Sequence, residues 1–363
     1  MEFKRLFLNK RFSGLILLLL VLNAALFVKT QRDNDYGMDL SLATNEMTFD
    51  FTGEMVTSGI QPDAKSCQEA YRTLLTEYKE KDPEQAAAEL TAMEEGLAAI
   101  SDPDAEKLAE YVAVQTLLAD FEYLEEYQDY LKMVQSNKES ALSLSVFQNF
   151  DSFSYRNILR TAEEFEKMES VEISVDLNQA FESVVNYAVT DYLLLILMLF
   201  LVFSFLQERR DGLWSMVYAS RNGRLRLGVC RIGILAFLSI VGTILFYGSN
   251  MLLAVTVYGG FGDWGRAVQC SELFEKLPVC LTVAEFFVWY FVIRIVTLFL
   301  LGLLFWLLLL AVGEVKYAVA GLAIFCGAEY LLFAYLPVQS VLNILKYFNI
   351  LLMCGFRNCI RTI

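Results

Sequence analysis

The sequence predicts an all-α membrane protein of about five transmembrane helices, with an extracytoplasmic antiparallel helical domain between helices one and two. Three observations predict it. The chain of 363 residues is 56% hydrophobic and 14% aromatic, with a mean hydropathy of +0.44, which is too apolar for an ordinary soluble protein. Apolar runs of membrane length recur, two of them separated by the Arg-rich interruption 207–231. The charge is also segregated: Thr30 to Thr190 holds 33 acidic and 11 basic residues, the rest of the chain 10 and 18, so −22 stands against +8 within a net −14. So distinct an acidic segment reads as a separate domain in a different compartment, and its sign argues against nucleic acid as a partner.

The chain opens with a cytoplasmic N-terminus, 1–12, carrying Lys4, Arg5, Lys10 and Arg11 ahead of an apolar run over 13–29. By the positive-inside rule this is an N-in first span. A cleaved signal peptide is the competing reading, but Phe27-Val28-Lys29-Thr30 offers no small-x-small cleavage site. Residues 30–176 form the acidic helical domain. Its lead-in, Gln31 to Ile60, has no sustained periodicity and reads as extended and poorly ordered. From Ala64 to Lys79 the positions Cys67, Ala70, Tyr71, Leu74, Leu75 and Tyr78 share one helical face. Asp82-Pro83 supplies an N-cap and an N1 proline for a second helix, Pro83 to Ile100, and Ser101-Asp102-Pro103 repeats the device for a third reaching about Gln135. Short turns predict antiparallel packing. A fourth helix spans about Ser154 to Glu169 by the same periodicity.

Glu94, Glu95, Glu125 and Glu126 could bind cations or cationic peptides, but their scatter lacks the register of a calcium loop and suits a solvated face. Val171 to Val175 is a brief extended link. Asp176 then caps a helix over 177–206 that continues unbroken into the second span.

The loop 207–231 carries six Arg, among them Arg209, Arg221 and Arg224, against Glu208 and Asp211, which places it in the cytoplasm. Within it, Leu213, Trp214, Met216, Val217 and Ser220 fall near helical spacing, and Asn222-Gly223 supplies a stop. Spacing alone makes this a short amphipathic helix that could rest on lipid headgroups. Span three covers 232–258 and an outer loop 259–285, whose SELFEKL stretch is expected to lie on the outer interface. Spans four and five cover 286–312 and 317–336, followed by an interfacial C-terminal segment, 337–363. Arg294 and Glu329 fall inside spans, where a charge marks an ion pair or a substrate path.

Inventory narrows the chemistry. There are no His residues, which removes His-based acid–base and nucleophilic schemes and the commonest zinc ligand. The seven Cys show no CxxC spacing, so no metal site is expected. Cys270 and Cys280 share one short predicted outer loop and are a possible disulfide pair. The sequence also lacks a Walker A motif. The expectation is a protein that is no enzyme, with no catalytic residue and no cofactor.

A membrane helix followed by Glu208-Arg209, Gly212, the apolar-aromatic stretch with Leu213, Trp214 and Val217, then Ser220-Arg221-Asn222-Gly223-Arg224 and a second membrane helix, resembles the permease subunits of ABC-2 type transporters. Leu281 to Phe287 before a long span, Leu336 to Ser340, and Leu345 to Asn349 are similarly placed. The resemblance covers roughly the second half of the chain. It implies that 207–231 is a coupling segment docked on a separate cytoplasmic ABC ATPase through Glu208, Arg209, Gly212, Leu213, Trp214, Val217, Arg221 and Arg224. It also implies a second permease subunit, identical or not, in the plasma membrane. Such permeases carry a sixth span where this sequence ends at Ile363, so the final span is expected to be missing. The alternative is a membrane-anchored sensor or assembly factor whose acidic domain binds a partner.

Overall fold

The computed structural model describes residues 10–34, 64–100, 104–144, 153–210 and 223–335. Among them the chain is all-helical, with no strand and one isolated bridge, Ala267 to Thr282. Ten α-helices follow in order: α1 Lys10–Asn34, α2 Ala64–Tyr78, α3 Pro83–Ala98, α4 Ala105–Ser143, α5 Phe153–Glu166, α6 Gln179–Asn186, α7 Val189–Arg210, α8 Gly223–Tyr258, α9 Val283–Val312 and α10 Val315–Tyr335. Among the described residues, five stretches are long and apolar enough to cross a membrane: Phe12–Gln31, Gln179–Phe205, Leu225–Tyr258, Val283–Val312 and Val315–Leu332. The lead-in from residue 35, the loop 211–222 and the segment 336–363 lie outside the described residues.

The chain forms two compact units: Met1–Phe27 with Val185–Leu252 and Phe286–Ile363, and Val28–Val184 with Leu253–Glu285. The first is the membrane unit. Along α7, Leu193, Leu194, Leu197, Met198, Leu201, Val202 and Phe205 are buried, whereas Tyr192, Ile196 and Phe200 are exposed. Both faces are apolar, so what separates them is burial against protein and not polarity, as expected of a span. At Gly302 on α9 an added Cβ would lie 2.8 Å from Met198 Sδ. The missing side chain therefore lets α9 approach α7 closely.

The second unit is built on α4. The stripe Tyr71, Leu74, Leu75 and Tyr78 of α2 meets Ala86 and Leu90 of α3 and Ala113, Val114, Leu117 and Phe121 of α4 in one core. A second core joins Tyr127 and Leu131 of α4 to Phe165 of α5 and Met168. The expected α2 face is thus the buried face, with Cys67 buried too. Helix starts differ from expectation in detail. Asp82 precedes Pro83 but makes no side-chain cap bond, and α4 is capped by Asp104, which accepts from the Lys107 N–H at 2.9 Å.

Two expectations are corrected. The helix expected to run unbroken from Leu177 is interrupted at Tyr187-Ala188, between α6 and α7. Asp176 does not cap it either. Its carboxylate instead accepts from the Leu177 N–H at 2.9 Å and the Asp263 N–H at 2.7 Å and faces Lys79 at 3.4 Å. Burial raises the Asp176 pKa, but those two N–H donors, with Arg266 and Lys79, outweigh it and hold the carboxyl below its usual range.

The SELFEKL stretch is the second correction. It is no amphipathic helix lying on an interface: Glu272–Phe274 is a 3₁₀ turn, with Phe274 and Leu277 buried and Phe274 against Phe181 at a ring separation of 5.3 Å. The whole of 259–285 is woven into the second unit by polar contacts its apolar pattern did not announce. Gln269, fully buried, donates to the carbonyls of Leu277 and Val279 at 3.1 and 2.8 Å, while the Tyr123 hydroxyl donates to the Gln269 carbonyl at 2.8 Å. Gly262, at φ 65°, sits so close to Asp176 that a Cβ would come within 2.6 Å of its carboxylate.

Candidate functional site

The site is assembled from polar residues that interrupt apolar runs. Asn23 lies within α1, Thr190 and Asp191 in the first turns of α7, Tyr247 and Asn250 on α8, and Tyr290 and Arg294 on α9. An uncompensated amide or charge in a span is costly, so each must find a partner on a neighbouring helix. They find one another.

Asn23, Thr190 and Asn250, all fully buried, form a closed ring. Asn23 donates to the Asn250 side-chain oxygen at 2.6 Å, Asn250 to the Thr190 hydroxyl at 2.7 Å, and Thr190 back to the Asn23 oxygen at 2.9 Å. Each member is at once donor and acceptor, so the ring ties α1, α7 and α8 together. The break at Tyr187-Ala188 serves the same junction. Tyr187 leaves the helical path to set its ring edge-on to Phe27 at 5.0 Å and to donate to the Asn23 carbonyl at 3.3 Å.

Next to the ring is an ionic cluster. Asp191 follows Thr190 in sequence, and Tyr247 lies three residues before Asn250, so two helices carry both groups. Asp191 accepts from the Tyr247 hydroxyl through one carboxylate oxygen and pairs with Arg294 through the other. The Arg294 guanidinium stands over the rings of Tyr290 and Tyr247, at 4.9 and 5.5 Å from their centroids. Tyr247 and Tyr290 meet edge to face at 5.4 Å. Ring and cluster together make a polar belt through four spans.

Of the residues singled out in the sequence, Arg294 belongs to this belt, and its ion-pair partner is Asp191. Glu329 lies on α10 and is largely buried. Glu208 and Arg209 fall in the last turn of α7 and Arg224 in the first turn of α8, their backbones alone being described. Gly212, Leu213, Trp214, Val217 and Arg221 lie outside the described residues. Cys270 and Cys280 are both free thiols, the first buried and the second exposed, so the expected bridge is not made. The 3₁₀ turn Val268–Cys270 directs Cys270 inward, where its sulfur accepts from the Ser174 N–H at 3.5 Å and burial pushes the thiol pKa up. Among the described residues no group of three or more His, Cys, Asp and Glu is placed to hold a metal ion.

The sequence reading missed Asn23, Thr190, Asp191 and Asn250. Their signal was available: single Asn residues inside otherwise apolar runs, and an Asp at the head of one. Comparison with known proteins adds nothing to this geometry, since no family model, no curated protein and no solved structure matches the chain.

Proposed function

We propose that the chain is the permease subunit of an ABC-2 type exporter, coupled through 207–231 to a separate cytoplasmic ATPase and working with a second permease subunit in the plasma membrane. The observation that carries this reading is the polar belt. A membrane anchor needs only apolar helices, whereas ionisable groups retained among the spans, as Asp191 and Arg294 are, mark a solute or ion path by default. The layout agrees with it: a helical unit inserted after the first span, and an Arg-rich connection between α7 and α8 whose composition favours the cytoplasmic side.

In this reading Trp214, beside Leu213 and Val217, anchors the ATPase, and truncation of such an aromatic anchor costs at least about 2 kcal/mol of binding. The test is co-purification of an ATPase with the tagged chain. Trp214→Ala and Leu213→Asp should each release it while leaving the melting temperature of the permease unchanged. Unchanged retention in both variants would mean that the loop is a headgroup-bound helix and would remove the coupling reading.

One observation favours the sensor or assembly-factor reading instead: the second unit has two cores of its own and could be the binding partner itself. A partner captured by that unit, with no ATPase recovered, would select it.

A further inference from the structure

The ion pair at the centre of the belt is asymmetric. The Arg294 side chain is 6% exposed and the Asp191 side chain 23%. The anion is the more exposed of the two. Their fallback partners differ as well. Arg294 lies over two aromatic faces and, at 3.5 Å, donates to the Tyr290 hydroxyl, so it keeps part of its compensation when the carboxylate is taken away. Asp191 without Arg294 retains only the Tyr247 hydroxyl in the belt, which a carboxylate in a span finds inadequate. An incoming cation therefore meets the carboxylate first and displaces a guanidinium that can be left behind.

We propose that Asp191 is a cation-exchange position, at which an ammonium or guanidinium group on an amphiphilic molecule replaces Arg294 during transport; this rests on the permease reading. The −22 balance of Thr30 to Thr190 fits the same ligand sign. Because Asp191 lies within the span Gln179–Phe205, where a ligand must also be compatible with an apolar surrounding, the class of molecule is a cationic amphiphile rather than a neutral or anionic one.

The test uses the purified full chain in nanodiscs of phosphatidylglycerol and a photoreactive benzophenone-tagged dodecylamine, compared with its alcohol counterpart. The amine should label the peptide containing Asp191 about tenfold more than the alcohol, the size of effect expected of one exchangeable charge contact. Asp191→Asn should abolish the excess, and Arg294→Gln, which removes the competitor, should raise it. A merely structural pair predicts that both single variants lose it. Equal labelling by amine and alcohol in the unmodified chain would overturn the proposal whether or not the variants fold, as would loss of the excess in both variants with melting temperatures retained.

Glu122→Gln on α4 is the control for the acidic surface and should leave the excess intact; its loss there would assign labelling to that surface and overturn the proposal. Adding phosphatidylethanolamine separates two supporting outcomes: competition identifies a lipid headgroup as the cation, and no competition a free amphiphile. ATPase co-purification plays no part in this labelling, so failure of the exchange position and failure of the permease reading are distinguishable.

Discussion

Replacing Asn250 by Leu removes two sides of the hydrogen-bonded ring, the bond accepted from Asn23 at 2.6 Å and the bond donated to Thr190 at 2.7 Å. In water the added apolar surface would offset part of the loss. In a bilayer it does not, because lipid is as apolar as the helix interior. Interhelical hydrogen bonds in membranes average about 0.6 kcal/mol and reach about 1.7. Asn23 would also be left with a buried amide lacking its partner, a penalty of about 1–3 kcal/mol where no relaxation is possible. The expected destabilisation is therefore about 2–3 kcal/mol.

The assay is unfolding of the full chain in mixed micelles by SDS titration, run as a double-mutant cycle with Asn23→Leu. Because the two residues share one bond, the cycle should show a coupling of about 0.6–1.7 kcal/mol. The reasoning is refuted if Asn250→Leu is as stable as the parent, or if the two substitutions add within about 0.3 kcal/mol.

Other substitutions probe the remaining claims. Gly302→Val would place a Cβ 2.8 Å from Met198 Sδ and should destabilise the membrane unit by about 1–3 kcal/mol through overpacking, with Met198→Ala restoring much of it; an unaffected melting temperature would show that α9 does not rely on that close approach. Asp176 has a folded-state carboxyl held below its usual range. Its contribution is therefore fully present above the ordinary carboxylate range and is lost as pH falls through the folded value. Asp176→Asn should flatten that acid limb of the stability curve, and an unchanged limb would contradict the network described. Phe274→Ala, at a side chain 1% exposed, should cost about 3–5 kcal/mol and open 259–285 to proteolysis, whereas an interfacial loop would tolerate it. Cys280 should react with maleimide in the native protein and Cys270 only after unfolding; equal reactivity would contradict the burial of Cys270.

Much of this protein was legible in its sequence because the signals are local. Apolar length marks each of the five spans, and the stripe Cys67, Tyr71, Leu74, Leu75 and Tyr78 marks the packed face of α2 from helical spacing alone. Charge segregation set Thr30 to Thr190 apart, and the second unit contains most of that stretch. Arg294 was conspicuous because a charge within an apolar run is improbable without a use.

What the sequence could not decide is who partners whom. Asp191 and Arg294 are 103 residues apart and Asn23 and Asn250 are 227 apart, and no periodicity connects such positions; only the packing of α1, α7, α8 and α9 brings them together. The break at Tyr187-Ala188 contains neither Pro nor Gly, so no local rule announced it. It follows from Tyr187 meeting Phe27 and the Asn23 carbonyl on another helix. The SELFEKL stretch has the pattern of an interfacial helix, yet Phe274 is buried against Phe181, because a tertiary core was available to an apolar face that local spacing can only describe as apolar.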